Sequence, residues 1–371
     1  MSAKGGLLPG RQNSSTGVDY LQNFKKVLET AIKENASDIL ISCGHYPKIR
    51  VTGQLIPLQK EKKVDSDMSK SLALSLMDES QKNKLLENKE VDFSYDFDGR
   101  ARFRVNAFFQ RGYVSLALRL VSPKIKTIEE LLLPPILHDF THRSQGLVLV
   151  TGASGQGKST TLASLIDEIN HTRASHIITI EDPIEYIYES DRSIVEQREV
   201  SVDTNSFSSA LKSVFRQNPD VIMVGEMRDL ETISTAITAA ETGHLVFATL
   251  HTNSASQSIH RIIDVFPAEQ QNQIRFQLAG SLLGVVSQRL VPRLKGGFAP
   301  ACEVMICNTA ISNLIRENKN HEIPVVIETS SKEGMISLNR SLSDLVMRKE
   351  ISSKDSIDYS LNPLELKSFL R

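Results

Sequence analysis

One short segment constrains the possible fold of this chain more than any other. An apolar run at 146–150 precedes Gly-Ala-Ser-Gly-Gln-Gly-Lys-Ser-Thr at 152–160, and a pattern typical of a helix follows. The segment matches the phosphate-binding loop G-x-x-x-x-G-K-[ST] in the strand, loop and helix context that makes this motif specific. It predicts an α/β core with a mostly parallel sheet and a nucleoside triphosphate bound at the carboxyl ends of the strands.

The residue types in this loop suit a triphosphate that binds together with Mg²⁺. Glycines let backbone N–H groups surround the phosphates, and the N-terminus of the following helix favours negative charge. We expect Lys158 to reach the β- and γ-phosphates of ATP and the hydroxyl of Ser159 to bind Mg²⁺. An ordinary lysine in a glycine-rich turn is the alternative interpretation. The predicted nucleotide-binding residues are Gly152, Ala153, Ser154, Gly155, Gln156, Gly157, Lys158, Ser159 and Thr160.

Candidate catalytic side chains follow three other apolar runs. The run at 177–180 leads into an acidic segment that ends with Glu185, the run at 221–224 leads into Glu226, and His251 ends a third run. Ligands of open α/β sheets bind at such strand ends, where ATP hydrolysis needs carboxylates to position metal and water. The alternative interpretation is that these acids cap helices or are charges on the solvated surface. The histidine is a candidate sensor of the nucleotide, although a structural role is commoner for a strand histidine.

The chain as a whole divides into five predicted segments. Residues 1–18, rich in Gly, Ser, Asn and Gln, predict a flexible tail without the apolar core of a secretory signal. Residues 19–121 predict a small α+β domain that begins with an amphipathic helix. The three prolines within 122–135 indicate an interdomain linker. Residues 136–295 contain the ATPase core, and 296–371 predict a small helical C-terminal subdomain.

The α+β domain contains a clear hairpin signal. Asp98-Gly99 lies between two runs of alternating residues, and this dipeptide supplies the positive φ angles of a tight turn. The alternation places Arg104 on the exposed face, and a third predicted strand carries Arg119 on that face as well.

Within the core, Pro267 stands at a favourable position for the start of a helix. Apolar residues then recur at helical spacing, which predicts one long helix that ends near Leu290. Gly296-Gly297 is expected to terminate this element.

Composition excludes several classes of protein. The 371 residues include 43 basic and 44 acidic side chains, so the net charge of −1 creates no field that would attract nucleic acid. Apolar runs stay below the 18 or so residues of a membrane span. The three cysteines are scattered and lack metal-binding spacing, which favours a reducing cytoplasm.

Four segments together resemble one family closely, the PilT-like retraction ATPases of type IV pili within the secretion ATPase superfamily. The loop at 152–160, the acidic segment at 180–185, the block at 224–229 and the block at 238–252 look like that family's Walker A, Asp box, Walker B and His box, in the family's order. The similarity extends from residue 19 to about residue 348.

This resemblance implies a PAS-like N-terminal domain, a RecA-like P-loop ATPase domain and a homohexameric ring with nucleotide between the domains of its subunits. By motif position, Glu185 is the catalytic glutamate that polarises water, and Glu226 is the Walker B acid that acts on Mg²⁺ through water. Arg104 and Arg119 match the arginines that reach ATP from the N-terminal domain. The chain departs from the family at Ser312, where the retraction motif has an arginine.

The expected function is that of a hexameric ATP-driven motor for pilus retraction and twitching motility. It would lie in the cytoplasm and reach the inner membrane through a pilus platform protein, with a second retraction ATPase as a further partner. The alternatives are an accessory PilU-like retraction ATPase, an ATPase for pilus assembly or type II secretion, a nucleic-acid translocase and a regulatory subunit that does not hydrolyse ATP. The four-cysteine zinc insert common in assembly motors is not visible, which favours retraction.

Overall fold

The computed structural model of the protein describes residues 15–34, 36–51, 53–121 and 124–370. The chain divides into two compact units, Met1–Pro123 and Lys124–Arg371. None of the helices in the described ranges combines the length and the apolar character that a bilayer-spanning helix needs.

The first unit has α+β structure. Its antiparallel sheet has the strand order β3-β2-β1-β6-β5-β4, and its core joins helix residues such as Leu28 to sheet residues such as Phe103 and Leu118. The helices are α1 (Ser15–Lys33), α2 (Ser66–Ser75) and α3 (Glu79–Asn88). The strands are β1 (Asp38–Ile41), β2 (Lys48–Val51), β3 (Gln54–Pro57), β4 (Glu90–Phe97), β5 (Ala101–Gln110) and β6 (Tyr113–Val121).

The structure confirms the hairpin and the amphipathic helix of this unit. Asp98 and Gly99 have φ angles of 53° and 67°, and the N–H of Arg100 donates to the carbonyl oxygen of Phe97 over 2.9 Å, which closes the turn. Helix α1 begins at Ser15, so the predicted tail at 1–18 is wrong for its last four residues. The rest of that prediction lies outside the described residues. Helices α2 and α3 and strand β3 were not predicted.

The second unit is a three-layer α/β structure. Its sheet has the order β13-β12-β7-β11-β10-β8-β9, in which only the β12–β13 pair is antiparallel. Along β7 the residues alternate between two cores, because Leu147 and Leu149 pack on one face of the sheet and Val148 and Val150 pack on the other. Helices therefore cover both faces, as is typical of nucleotide-binding α/β proteins.

The elements of this unit follow in chain order. The strands are β7 (Gly146–Thr151), β8 (His176–Glu181), β9 (Ile194–Glu199), β10 (Val221–Val224), β11 (Leu245–Leu250), β12 (Leu282–Pro292) and β13 (Phe298–Ile306). The helices are α4 (Leu137–Thr141), α5 (Lys158–Thr172), α6 (Phe207–Val214), α7 (Leu230–Glu241), α8 (Ala255–Asp264), α9 (Ala268–Ser281), α10 (Thr309–Arg316), α11 (Ile323–Thr329), α12 (Leu338–Met347), α13 (Ser353–Tyr359) and α14 (Pro363–Phe369).

The long helix predicted to start at Pro267 is wrong beyond Ser281. The chain turns there into β12, which pairs in parallel with β7 and antiparallel with β13. Gly296 and Gly297, with φ angles of 85° and 76°, form the turn between β12 and β13 instead of a helix end. The predicted boundary between the ATPase core and the C-terminal subdomain, at residues 295 and 296, thus lies within a hairpin. The segment 296–371, which was predicted to be helical, contributes β13 to the sheet.

The segment predicted as a linker, 122–135, is mostly part of the second unit. Ile128 and Leu133 are 1% and 5% exposed and belong to the same core as Leu137, Phe140 and Leu162. Apolar residues between the prolines therefore pack against the domain, because burial of these side chains outweighs the irregular backbone that the prolines impose.

Candidate nucleotide-binding site

The phosphate-binding loop lies between β7 and α5, as the sequence predicts. Gly152, Gly155 and Gly157 have φ angles of 151°, 75° and 79°, a region that favours glycine. At Gly152 a Cβ atom would also lie 2.6 Å from the backbone oxygen of Gln288, so only glycine fits there. No side chain caps the N-terminus of α5, which begins at Lys158. The N–H groups of the first helical turn are therefore available to an anion.

The side chain of Lys158 lies over this loop. Its ammonium donates to the carbonyl oxygens of Gly152 and Ala153 over 2.8 and 3.0 Å and lies 3.5 Å from Nδ1 of His251. Burial lowers the pKa of Lys158 below its ordinary value, although the negative charges of Glu226 and Glu185 oppose this change. Lys158 thus contacts the candidate histidine and lies close enough to both candidate acids to feel their charges.

Glu226 and His251 are in direct contact. Glu226 follows β10, and its carboxylate lies 3.1 Å from Nε2 of His251 and 2.7 Å from Nη2 of Arg228. Burial acts to raise the pKa of Glu226, but Arg228 and His251 together lower it below its ordinary value, which keeps the group ionised. Lys158 can only donate to His251 at Nδ1, and this arrangement suits the tautomer in which Nε2 carries the proton and donates to Glu226.

The backbone next to Glu226 is held by the neighbouring strand β11. The hydroxyl of Thr249 donates to the carbonyl oxygen of Gly225 over 2.5 Å, and the N–H of Met227 donates to the carbonyl oxygen of Thr249 over 3.1 Å. These two bonds join the ends of β10 and β11, so Glu226 and His251 have a defined separation.

Glu181 is a buried carboxyl group that the sequence reasoning did not select. It ends β8, is 8% exposed, and accepts hydrogen bonds from the hydroxyl of Thr179 and the amide of Gln197 over 2.8 and 3.0 Å. Burial raises the pKa of Glu181 to about 7 despite these bonds. Its other oxygen lies 3.4 Å from the backbone N–H of Glu185. Its position at the end of a mostly apolar strand was the available signal.

Polar side chains of β9 hold the segment that carries Glu185. The amide of Gln197 donates to the carbonyl oxygen of Tyr186 over 2.8 Å, and the N–H of Ile184 donates to the carboxylate of Glu199 over 3.2 Å. The hydroxyl of Tyr186 in turn contacts that of Thr160 at 2.8 Å. This segment is thus tied both to the edge of the sheet and to the first turn of α5, while Glu185 itself is exposed.

The residues of the loop that would face a ligand are accessible. Ala153, Ser154 and Gly155 are exposed, and Ser159 and Thr160 are partly exposed in the first turn of α5. The donor set suits Mg-ATP, because backbone N–H groups and Lys158 can bind phosphate oxygens. A hydroxyl and an ionised carboxylate are ligands that Mg²⁺ accepts, directly or through water.

Arg104 and Arg119 lie in the first unit, on the six-stranded sheet. They are directly opposite each other on β5 and β6, and both are exposed, as the sequence predicts. The guanidinium of Arg119 also forms an ion pair with Asp38 of β1 at 3.0 Å. The two guanidinium groups therefore lie side by side on a solvent-exposed sheet face, where Asp38 partly offsets the charge of Arg119.

Ser312, the departure from the retraction motif, lies on α10. Its hydroxyl donates to the carbonyl oxygen of Ala279 on α9 over 3.0 Å. Ile311 and Ile315 on the same helix are fully buried, so the helix keeps its amphipathic character without the arginine.

Comparison with known proteins gives consistent results. The family described as "Type II/IV secretion system protein" matches residues 15–351. The chain is 45% identical to the type IV pilus retraction ATPase PilT of Pseudomonas aeruginosa, over 90% of this chain and 97% of that protein. It is 40% identical to the type IV pilus ATPase PilU of the same organism, over 92% and 90% of the two chains. A crystal structure of the pilus retraction motor PilT with bound ADP matches with a TM-score of 0.86 and 48% identity, over 93% of this chain and 98% of that one.

Proposed function

The chain belongs to the type II/IV secretion system protein family, and from this premise we propose that it is the ATP-hydrolysing motor that powers the retraction of type IV pili. The observation that carries the proposal is the likeness to a retraction motor over nearly the whole chain. It is supported by the site, where His251 contacts both Lys158 and Glu226 beside the phosphate-binding loop.

The geometry of the site supports a role in phosphoryl transfer to water. The loop and Lys158 bind the phosphates, and Ser159 together with Glu226, the latter through water, would hold Mg²⁺. The metal neutralises charge on the β- and γ-phosphates when it is bound. Glu185 is the residue that orients the attacking water, and its exposure leaves the carboxylate free to approach it. His251 holds Glu226 in place and, through Lys158, responds to the γ-phosphate.

We further propose that the working form is a homohexamer in which the first unit is a PAS-like domain. Arg104 and Arg119 would act on ATP bound at a neighbouring ATPase domain, where they stabilise charge on the transferring phosphoryl group. The paired, exposed position of the two arginines on one sheet face supports this role. The motor would lie in the cytoplasm and engage an inner-membrane pilus platform protein.

An accessory role remains as a second candidate. The identity to PilU is nearly as high as that to PilT, and Ser312 removes a positive charge from the retraction motif. In this case the chain would work beside a second retraction ATPase instead of alone.

Deletion of the gene in its own organism tests the proposal. Loss of a retraction motor leaves many pili on the cell and abolishes twitching motility, which is the expected result. A strain without pili would show that the protein drives assembly. Restoration of motility by a second retraction ATPase supplied in excess would identify the accessory role.

A further inference from the structure

Strand β12 continues beside the phosphate-binding loop beyond the end of β7, one of its two pairing partners. The last register position between β7 and β12 joins Thr151 to Ser287, and their hydroxyl groups lie 2.7 Å apart. The chain of β7 leaves the sheet at Gly152, whereas β12 continues to Pro292. The residues that follow Ser287 are therefore next to the loop.

Both polar atoms of the Gln288 carboxamide form hydrogen bonds, one to the loop and one to α5. The side chain is 2% exposed; its amide nitrogen donates to the carbonyl oxygen of Gln156 over 2.5 Å, and its oxygen accepts from the hydroxyl of Thr161 over 2.8 Å. A carbonyl oxygen only accepts, so the orientation of the carboxamide is determined by its partners. Gln288 thus joins the last part of the loop to the first turn of α5.

A second bond also runs from β12 to Gln156. The side-chain oxygen of Gln156 accepts from the backbone N–H of Leu290 over 2.6 Å, so Gln156 is bonded to β12 through both its backbone and its side chain. Both ends of the loop also approach Gln288. A Cβ atom at Gly152 would lie 2.6 Å from the Gln288 backbone oxygen, and one at Gly157 would lie 3.2 Å from its amide nitrogen.

We propose that Gln288 is a positioning residue for nucleotide binding, which holds the phosphate-binding loop in the shape that receives the phosphates. This inference rests on the proposed function, because it assumes that the loop binds ATP. Gln288 acts through Gln156 and Thr161. Without Gln288 the loop occupies other conformations for part of the time. The apparent affinity for nucleotide then falls in proportion to the fraction of molecules whose loop has the binding conformation. Bound phosphates hold the loop themselves, so the chemical step depends less on Gln288.

The test uses the full chain with Gln288→Met, which keeps the length of the side chain and removes both hydrogen bonds. Binding of a fluorescent ADP analogue with Mg²⁺ should weaken by about tenfold, the equivalent of roughly 1.4 kcal/mol. The KM for ATP should rise similarly, while kcat stays within about twofold of the wild-type value. Asn339→Leu is the matched control, because Asn339 is also a buried carboxamide of the second unit but bonds to Asn362 and Ser360. It should lower thermal stability without a change in affinity.

Thr161 supplies a milder pair of variants. Thr161→Val removes the hydroxyl that donates to Gln288 and should weaken ADP binding, whereas Thr161→Ser keeps the hydroxyl and should restore it. Wild-type affinity in Gln288→Met, or an equal loss of affinity in Asn339→Leu, would overturn the inference while the proposed function stands. A wild-type chain that binds no nucleotide would overturn the proposed function and this inference together.

Discussion

Replacement of Glu181 by glutamine should change how the stability of the second unit depends on pH. The carboxyl group of Glu181 is buried at the end of β8, and its pKa is raised from 4.5 to about 7. Glutamine has nearly the same shape and still accepts from Thr179 and Gln197 through its oxygen, but it never ionises. The substitution thus isolates the cost of a buried charge.

The sign and size of the effect follow from proton linkage. Between pH 4.5 and about 7 the folded protein keeps a proton on Glu181 that the unfolded chain has lost, so the free energy of unfolding falls as pH rises. At about 1.4 kcal/mol for each pH unit this interval corresponds to about 3 kcal/mol. Below pH 4.5 Glu181 is protonated in both the folded and the unfolded state. Above about pH 7 it is ionised in both states, and the full cost of the buried charge lowers the free energy of unfolding. Loss of the long contact with the Glu185 N–H subtracts a smaller amount.

Urea unfolding followed by far-ultraviolet circular dichroism suits this test, because the chain has no tryptophan. Between pH about 4.5 and about 8, the free energy of unfolding of Glu181→Gln should rise by about 3 kcal/mol relative to that of the wild type. Most of this change should occur below about pH 7. Glu189→Gln, at an exposed residue after the same segment, is the matched control and should follow wild type. A difference between Glu181→Gln and wild type that is constant with pH, or that falls as pH rises, would refute the reasoning.

Three further predictions concern catalysis. Lys158→Ala should abolish ATP binding, measured with a fluorescent analogue; retained affinity would remove the lysine from the site. Glu226→Gln and Glu185→Gln should still bind ATP but lose steady-state ATPase activity by about a hundredfold or more, and turnover near the wild-type rate would contradict the assigned role. Arg104→Ala should reduce turnover without a change in thermal unfolding, because the side chain is exposed. When mixed with Lys158→Ala subunits it should recover part of the activity, and the absence of recovery would argue against action on a neighbouring subunit.

Features with a local physical cause were predictable from the sequence. The loop at 152–160 has a recognisable pattern because phosphate binding requires glycine backbone, a lysine and a helix start within nine residues. The Asp98-Gly99 turn was predicted correctly because its φ angles depend on the two residues themselves. The positions of Glu226 and His251 followed from strand ends, since the carboxyl ends of parallel strands meet at one edge of a sheet.

Only the tertiary structure decided which apolar run after Ala268 is helix and which is strand. Leu278, Leu282 and Val286 have helical spacing, but β12 pairs with β13 across a short turn and with β7, which lies far away in the chain. Periodicity in a short apolar run does not distinguish a buried strand from a helix, and pairing with a distant strand overrides it.

The same reason explains why Glu181 and Gln288 were missed. The strand end marks the position of Glu181 but not the shift of its pKa, and nothing local marks a glutamine as the support of a loop more than a hundred residues away. Burial raises the pKa of Glu181, and hydrogen bonds to the distant loop give Gln288 its role. Both conditions exist only after the sheet has assembled. The sequence by itself determined the chemistry of the phosphate-binding loop, and the assembled sheet determined which side chains hold it.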